Sequence, residues 1–225
     1  MKLFHGSLYE IKKPLYNGSR PNNDYGQGFY CTESIELAKE WGCSDEKDGF
    51  ANEYDFDAKN LTVLDLNNST FTILNWLAIL LKNRSFETRS EISIAAKDYI
   101  LQNFLIEFEG YDVIKGYRAD DSYFSFANSF LNNSISLQKL NVAMKLGKLG
   151  EQIVLKSEKS FSQISFVKSH ISSKDIYFPK KVRRDYDARA SFFTLKNQNE
   201  VTNGIFMLDI IRKDLKNESI QSILS

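Results

Sequence analysis

Short stretches of period two, alternating with segments of period three to four, predict an α+β chain. The first signal is strongest in 51–56, Ala51-Asn52-Glu53-Tyr54-Asp55-Phe56, and in 61–66. The second is clearest in Phe71, Leu74, Leu77, Ala78 and Leu81, which return to one side of a helix. Both kinds of stretch are bounded by glycine, proline, serine and asparagine, so the strands are short and the helices numerous.

The totals narrow the classes. A length of 225 residues suffices for one domain of ordinary size, or for one domain with a helical extension. Hydrophobic residues at 42% and aromatics at 13% supply a real core and argue against disorder. Basic and acidic side chains balance at 29 each, so bulk charge points to neither nucleic acid nor membrane. Cys31 and Cys43 read as reduced thiols, not a disulfide framework, and with only His5 and His170 the chain lacks the ligands of a zinc cluster. The run 71–81 is too short to span a bilayer and is broken by Asn75. The chain opens directly into a strand with no apolar leader, and the expected location is cytoplasmic.

Taken in order, residues 2–5 form the first strand, and 9–11 a turn or short strand. Pro14, Gly18 and Pro21 break the next stretch into a loop, either a cover over a ligand or a solvated connection. At 22–32 the chain reads Asn-Asn-Asp-Tyr-Gly-Gln-Gly-Phe-Tyr-Cys-Thr. Gly26 and Gly28 permit a tight turn and close approach, and Phe29 and Tyr30 point to opposite faces of a strand, one into the core and one toward a cleft. Thr32 caps a helix over 34–41 with Ile35, Ala38 and Trp41 on one face. Ser69 or Thr70 caps the next helix, which ends at Asn83-Arg84, and a longer helix covers 91–108 before Gly110. A strand at 111–114, helices at 122–131 and 136–146, and strands at 152–156 and 161–170 complete the core. Beyond it, Ser173 caps a strongly charged helical region, and 204–224 form one further helix. This divides the chain into a domain over 1–172 and a helical extension over 173–225. The basic run from Lys180 to Arg189 reads as a solvated helix face, or as a partner-binding helix anchored by Tyr186 and Phe192-Phe193; Trp41 and Trp76 read as core.

Five fragments stand in a fixed order: His5-Gly6-Ser7, then Asp24 to Tyr30, Ala38 to Trp41, Ala119-Asp120-Asp121, and Gln152-Ile153. In that order they resemble the ADP-ribosyltransferase superfamily, in its diphtheria-toxin and poly(ADP-ribose) polymerase branch. More narrowly, residues 2–170 look like a bacterial family of the DUF3990 type. The resemblance implies a split β-sandwich with surrounding helices and NAD as the ADP-ribose donor. By it, His5, Gly6 and Ser7 hold the ribose and the nicotinamide carboxamide, Tyr30 stacks on the nicotinamide ring, and Asp24, Gly28 and Phe29 line the cofactor site. The third member of the triad comes from the strand Glu151-Gln152-Ile153. Adjacent strand residues face opposite sides, so either Glu151 or Gln152 takes the role, and the family pattern has glutamine there. A glutamine binds a hydroxyl but is no carboxylate base, which favours mono-ADP-ribosylation over polymer elongation. Arg118, Asp120 and Asp121 are substrate or acceptor contacts on this reading; otherwise Asp121 caps a helix and pairs with Arg118. The implied function is mono-ADP-ribosylation of a macromolecule, protein more than nucleic acid, by a bacterial toxin or defence effector with a cognate antitoxin. An NAD-binding or partner-binding module with weak turnover, and NAD hydrolysis, are the alternatives.

Overall fold

The computed structural model describes the chain except residues 87, 120, 147–149, 199–203 and 225 and the side chain of Asp121. The elements run β1 (Lys2–Ser7), β2 (Phe29–Cys31), α1 (Ile35–Gly42), β3 (Gly49–Phe56), β4 (Val63–Asp65), α2 (Ile73–Asn83), α3 (Glu91–Phe104) and β5 (Val113–Tyr117). They continue α4 (Asp121–Leu131), α5 (Leu137–Ala143), β6 (Glu151–Leu155), α6 (Glu158–Ser162), β7 (Ile164–Ser172), α7 (Lys174–Asn197), α8 (Met207–Arg212) and α9 (Asn217–Leu224). The chain is thus a mixed α+β protein. No described helix is long and apolar enough to cross a membrane.

Two compact units emerge, neither continuous in sequence. One comprises Met1–Asp65, Phe108–Arg118 and Leu149–Tyr186; the other comprises Leu66–Glu107, Ala119–Lys148 and Asp187–Ser225. They do not coincide with a cut at residue 172, because the chain leaves the sheets after β4 and again after β5 to build helices, and α7 contributes to both units.

All seven described strands belong to the first unit. One sheet has the order β1-β3-β7 and is antiparallel; the other has the order β2-β6-β5-β4, antiparallel except for the β4–β5 pair. Among the described residues the two sheets share one backbone-paired residue pair, where Phe4 N donates to Thr32 O at 2.8 Å and Thr32 N donates to Phe4 O at 2.9 Å. Between them lies a core of Leu3, Tyr54 and Phe56 against Phe29, Cys31, Val113, Ile153 and Leu155. Burial pushes the Cys31 thiol far above its ordinary range, which leaves it inert. Asp112 locks the starts of β4, β5 and α6: it accepts from Thr62 N at 2.8 Å, Thr62 Oγ1 at 3.0 Å and Ser157 Oγ at 2.5 Å.

Helix α1 lies on the opposite face of the first sheet, backbone against backbone. A Cβ on Gly6 would sit 2.2 Å from Ala38 O, and one on Gly42 2.5 Å from Phe50 O. Its cap is Ser34, whose side chain accepts from Leu37 N at 3.3 Å, and not Thr32, which pairs with β1 instead. The buried side holds Leu37, Ala38 and Glu40 rather than Ile35 and Trp41, since the close glycine contacts rotate the helix about its own axis. The first half of α7 docks on α1. Lys180 reaches Glu36 at 3.1 Å, and Arg184 makes a two-pronged pair with Glu40 at 2.8 and 2.7 Å. Arg184 of the basic run is therefore spent within the chain, while Lys180, Lys181, Arg183 and Arg189 stay exposed, as expected of a solvated face.

The second unit is helical. Helix α2 is apolar nearly all round and buried from Ile73 to Leu81, as expected for Trp76. Its one buried amide is satisfied: Asn75 Oδ1 accepts from Thr72 N at 2.7 Å, and its Nδ2 donates to Phe104 O at 2.9 Å. Thr72, not Ser69 or Thr70, stands at the helix start. Helix α3 stops at Phe104, short of Phe108, because the chain turns back toward β5. Phe192 of α7 stacks on Phe126 at 4.0 Å, and Lys139 donates to the carbonyls of Lys196 and Gln198 at the end of α7. The single helix expected over 204–224 is broken into α8 and α9 at Asp214, whose φ is 49° and whose carboxylate takes the Tyr99 hydroxyl at 2.8 Å. The short helix α6, capped by Ser157, replaces the start of the strand expected from Phe161.

Two substitutions test this packing. Gly6→Ala forces backbone apart and should destabilise the protein by about 3 kcal/mol, at the top of the overpacking range, read as a lower urea midpoint. Arg184→Met leaves the Glu40 carboxylate, 2% exposed, without its partner and should destabilise by about 3–5 kcal/mol, whereas Glu40→Met with Arg184→Met should recover most of that in thermal melts.

Candidate functional site

The site is built where β1 and β2 part. Past the Phe4–Thr32 pair the two strands no longer bond, and the His5 ring enters the gap. It stacks on Phe29, 4.4 Å between ring centres, and its Nδ1 lies 2.7 Å from Tyr30 O. A carbonyl only accepts, so Nδ1 carries the proton and Nε2 is left as an acceptor. Burial holds the ring's pKa below its ordinary 6.5, so the imidazole is neutral at neutral pH. Gly6 and Ser7 serve the scaffold here: Gly6 clears α1, and Ser7 Oγ accepts from Tyr9 N at 3.2 Å. Behind them Asn52, fully buried, takes Ile11 N and Ser169 Oγ on its oxygen and gives its amide to His5 O and Tyr9 O. Asn52 was not anticipated as a site-building residue; the signal was an amide standing inside an alternating strand.

The loop before β2 is held rigid. Gly26 adopts φ 76°, open to glycine at little strain, and its carbonyl accepts from the Tyr30 hydroxyl at 2.6 Å. The same hydroxyl accepts from Tyr25 N at 3.0 Å, so Tyr30 offers a ligand its ring rather than its oxygen. Tyr25, fully buried, donates to Tyr117 O at 2.6 Å, and Lys156 Nζ donates to Tyr25 O at 2.6 Å. Gly28 is glycine because a Cβ there would meet Leu155 O and Val154 Cγ1, each at 2.7 Å. Asp24 is buried in this loop, and Phe29 is buried in the core between the sheets.

Strand register sorts the remaining residues. Phe29 pairs with Leu155 and Tyr30 with Val154; Tyr117 pairs with Glu151 and Gly116 with Gln152. Glu151, Ile153 and Leu155 therefore share the face of Phe29, the core face, whereas Gln152 and Val154 share the face of Tyr30. Glu151 is paired with Lys115 at 2.8 Å. Gln152 is 5% exposed, and its Oε1 is buried with no hydrogen-bond partner among the described residues. Such an orphaned acceptor is unusual in a folded chain.

A Cβ on Gly150, just before β6, would lie 2.8 Å from Leu37 Cδ1, so the start of β6 abuts α1, and Trp41 is one turn beyond Leu37 on the same side. Trp41 is only half-buried, unlike the core position expected for it, and the Arg118 guanidinium lies over its ring at 3.5 Å. Asp120 lies outside the described residues, and Asp121 opens α4. The structure thus gathers Tyr30, Gln152, Gly116 and Val154 on one sheet face, sets His5 in the gap behind the Tyr30 carbonyl, and puts Glu151 on the other side. His170 is drawn elsewhere, 2.6 Å from Glu53. No cluster of three or more potential metal ligands exists among the described residues.

These features define a mixed α+β protein whose two small sheets part around a half-buried histidine and an aromatic strand. The chain belongs to the family described as protein of unknown function (DUF3990), which matches residues 1–166. No curated protein and no solved structure matches it. The matched span holds His5, Tyr30, Trp41, Arg118, Glu151 and Gln152.

The state of His5 is measurable. Nitrogen-detected NMR should find its proton on Nδ1 and its titration midpoint below 6.5. Because the folded pKa is lowered, the unfolded chain binds the proton more tightly. The stability contributed by the neutral ring is therefore complete above 6.5 and lost as pH falls toward the folded value, a dependence that His5→Asn should remove.

Proposed function

We propose that this protein is an NAD-dependent mono-ADP-ribosyltransferase acting on a macromolecular acceptor. The observation that carries the reading is Gln152 Oε1, a buried acceptor with no partner among the described residues, on the face of the half-buried Tyr30 ring. An acceptor so placed suits a ribose hydroxyl. The Trp41 ring already carries a flat cation, the Arg118 guanidinium, and nicotinamide in NAD is a flat cation of similar width. His5, neutral, keeps the Tyr30 carbonyl in position and presents Nε2 as a second acceptor at the gap. The motif order and the split pair of small sheets add to the reading.

In the reaction the bond from ribose C1′ to the nicotinamide nitrogen breaks and its electron pair leaves with nicotinamide. An acceptor lone pair forms the new bond to C1′, and the acceptor's proton passes to solvent. Gln152 orients the ribose and takes no proton. This suits one transfer per acceptor group, and Glu151, occupied by Lys115 on the far face, is not required to act. Among the described strand residues none on Tyr30's face is a carboxylate base, which also favours a second reading, an NAD-binding module with little turnover.

The test is incubation with labelled NAD and cell lysate, following free nicotinamide and label on macromolecules. Gln152→Ala and Tyr30→Ala should each lower labelling by about 100-fold, in the range of a lost transition-state contact, while Glu151→Ala should lower it less than about fivefold. Nicotinamide without label means hydrolysis. NAD binding with neither signal supports the binding module, and no binding at all ends the proposal.

A further inference from the structure

Lys156 makes no ion pair with a carboxylate among the described residues; the Glu109 carboxylate acts on it only through space. Lys156 follows β6 directly and continues the face of Tyr30, Gln152 and Val154, opposite Gly28. Its side chain is half-buried, and its Cδ would lie 3.3 Å from a Cβ on Gly28, so the stem runs alongside the glycine loop. One of its three N–H groups donates to Tyr25 O at 2.6 Å, and the other two have no acceptor among the described residues. The neighbouring lysines show the contrast: Lys115 is paired with Glu151 at 2.8 Å, and the more exposed Lys159 reaches Asp112 at 3.7 Å. A half-buried ammonium satisfied by a single neutral carbonyl is costly to keep charged unless an anion comes to it. Burial pulls its pKa below the ordinary 10.5, and the Glu109 carboxylate offsets this only in part. The orphaned Gln152 Oε1 lies four residues away along the same strand face, about 13 Å, with Tyr30 beside Val154 between them.

We propose that Lys156 binds the phosphate groups of an extended ligand whose hydrogen-bond donor end reaches Gln152, so that the ligand lies along β6 across Tyr30. This rests on the NAD reading only for the ligand's identity. On that reading the nicotinamide ribose meets Gln152 and the diphosphate meets Lys156. The carbonyl of Tyr25 fixes the ammonium in place before the ligand arrives, so little side-chain freedom is lost on binding.

Calorimetric titration of the full chain with NAD, ADP-ribose, inorganic pyrophosphate and nicotinamide tests the proposal. Lys156→Met should weaken NAD, ADP-ribose and pyrophosphate by about tenfold or more and flatten the loss of affinity with added salt. Nicotinamide, which carries no phosphate, should bind the variant as it binds the parent. Lys156→Arg, which keeps the charge, should restore most of the affinity and controls for folding. Equal weakening of nicotinamide would mean that Lys156 only props the Tyr25 loop, and would overturn the proposal. Unchanged ADP-ribose and pyrophosphate affinity in Lys156→Met would also overturn it, while leaving the NAD reading intact. Pyrophosphate binding that is lost in Lys156→Met, without NAD binding to the parent, would uphold the anion site and remove the NAD reading. Failure of the parent to bind any of the four would remove both.

Discussion

Two hydrogen bonds between Phe4 and Thr32 hold the sheets of the first unit together, and the rest of the site follows from where they stop. Past that pair the backbone of β2 needs a new partner for the Tyr30 carbonyl, because a buried carbonyl without one is costly. His5 supplies it from its side chain, which wedges the strands apart and fixes the ring's tautomer at once. Asn52 then ties off the chain as it leaves β1, bonding His5 O and Tyr9 O. One local loss of strand pairing thus produces both the gap and the residues that line it.

The position of Trp41 is set by the approach of α1. Three glycines, Gly6, Gly42 and Gly49, let helix and sheet backbones meet with no side chain between them. That approach decides the rotation of α1, hence that Leu37 turns toward Gly150 and Trp41 remains half-buried. The buried carboxylate of Glu40, answered by Arg184, holds α7 against the same helix. Charge and packing therefore act on one element, the one that carries Trp41.

Against this background of satisfied polar groups, Gln152 and Lys156 stand out on one strand face, the first an acceptor with no donor and the second a cation with no ion pair among the described residues. Asn52 and Asn75 show how the same chain treats buried amides when they are structural: each has its oxygen and nitrogen bonded. Polar groups that a fold leaves unanswered are candidates for answering a ligand, and these two frame the NAD reading.

The order and type of most elements were legible in the sequence, because period two and period three to four survive in any environment that buries one face. Tyr30 and Phe29 were seen to oppose each other for that reason, and Trp76 to be core. Local hydrogen bonding was less legible: Thr32 looked like a cap but was needed by β1, and Asp214 broke the last helix because Tyr99 held its carboxylate. The sequence by itself determined that Glu151 and Gln152 point apart, since strand geometry demands it. Only the tertiary structure decided which of them shares a side with Tyr30, because that depends on the register of β6 against β2 and β5, and register is set by which face meets the core.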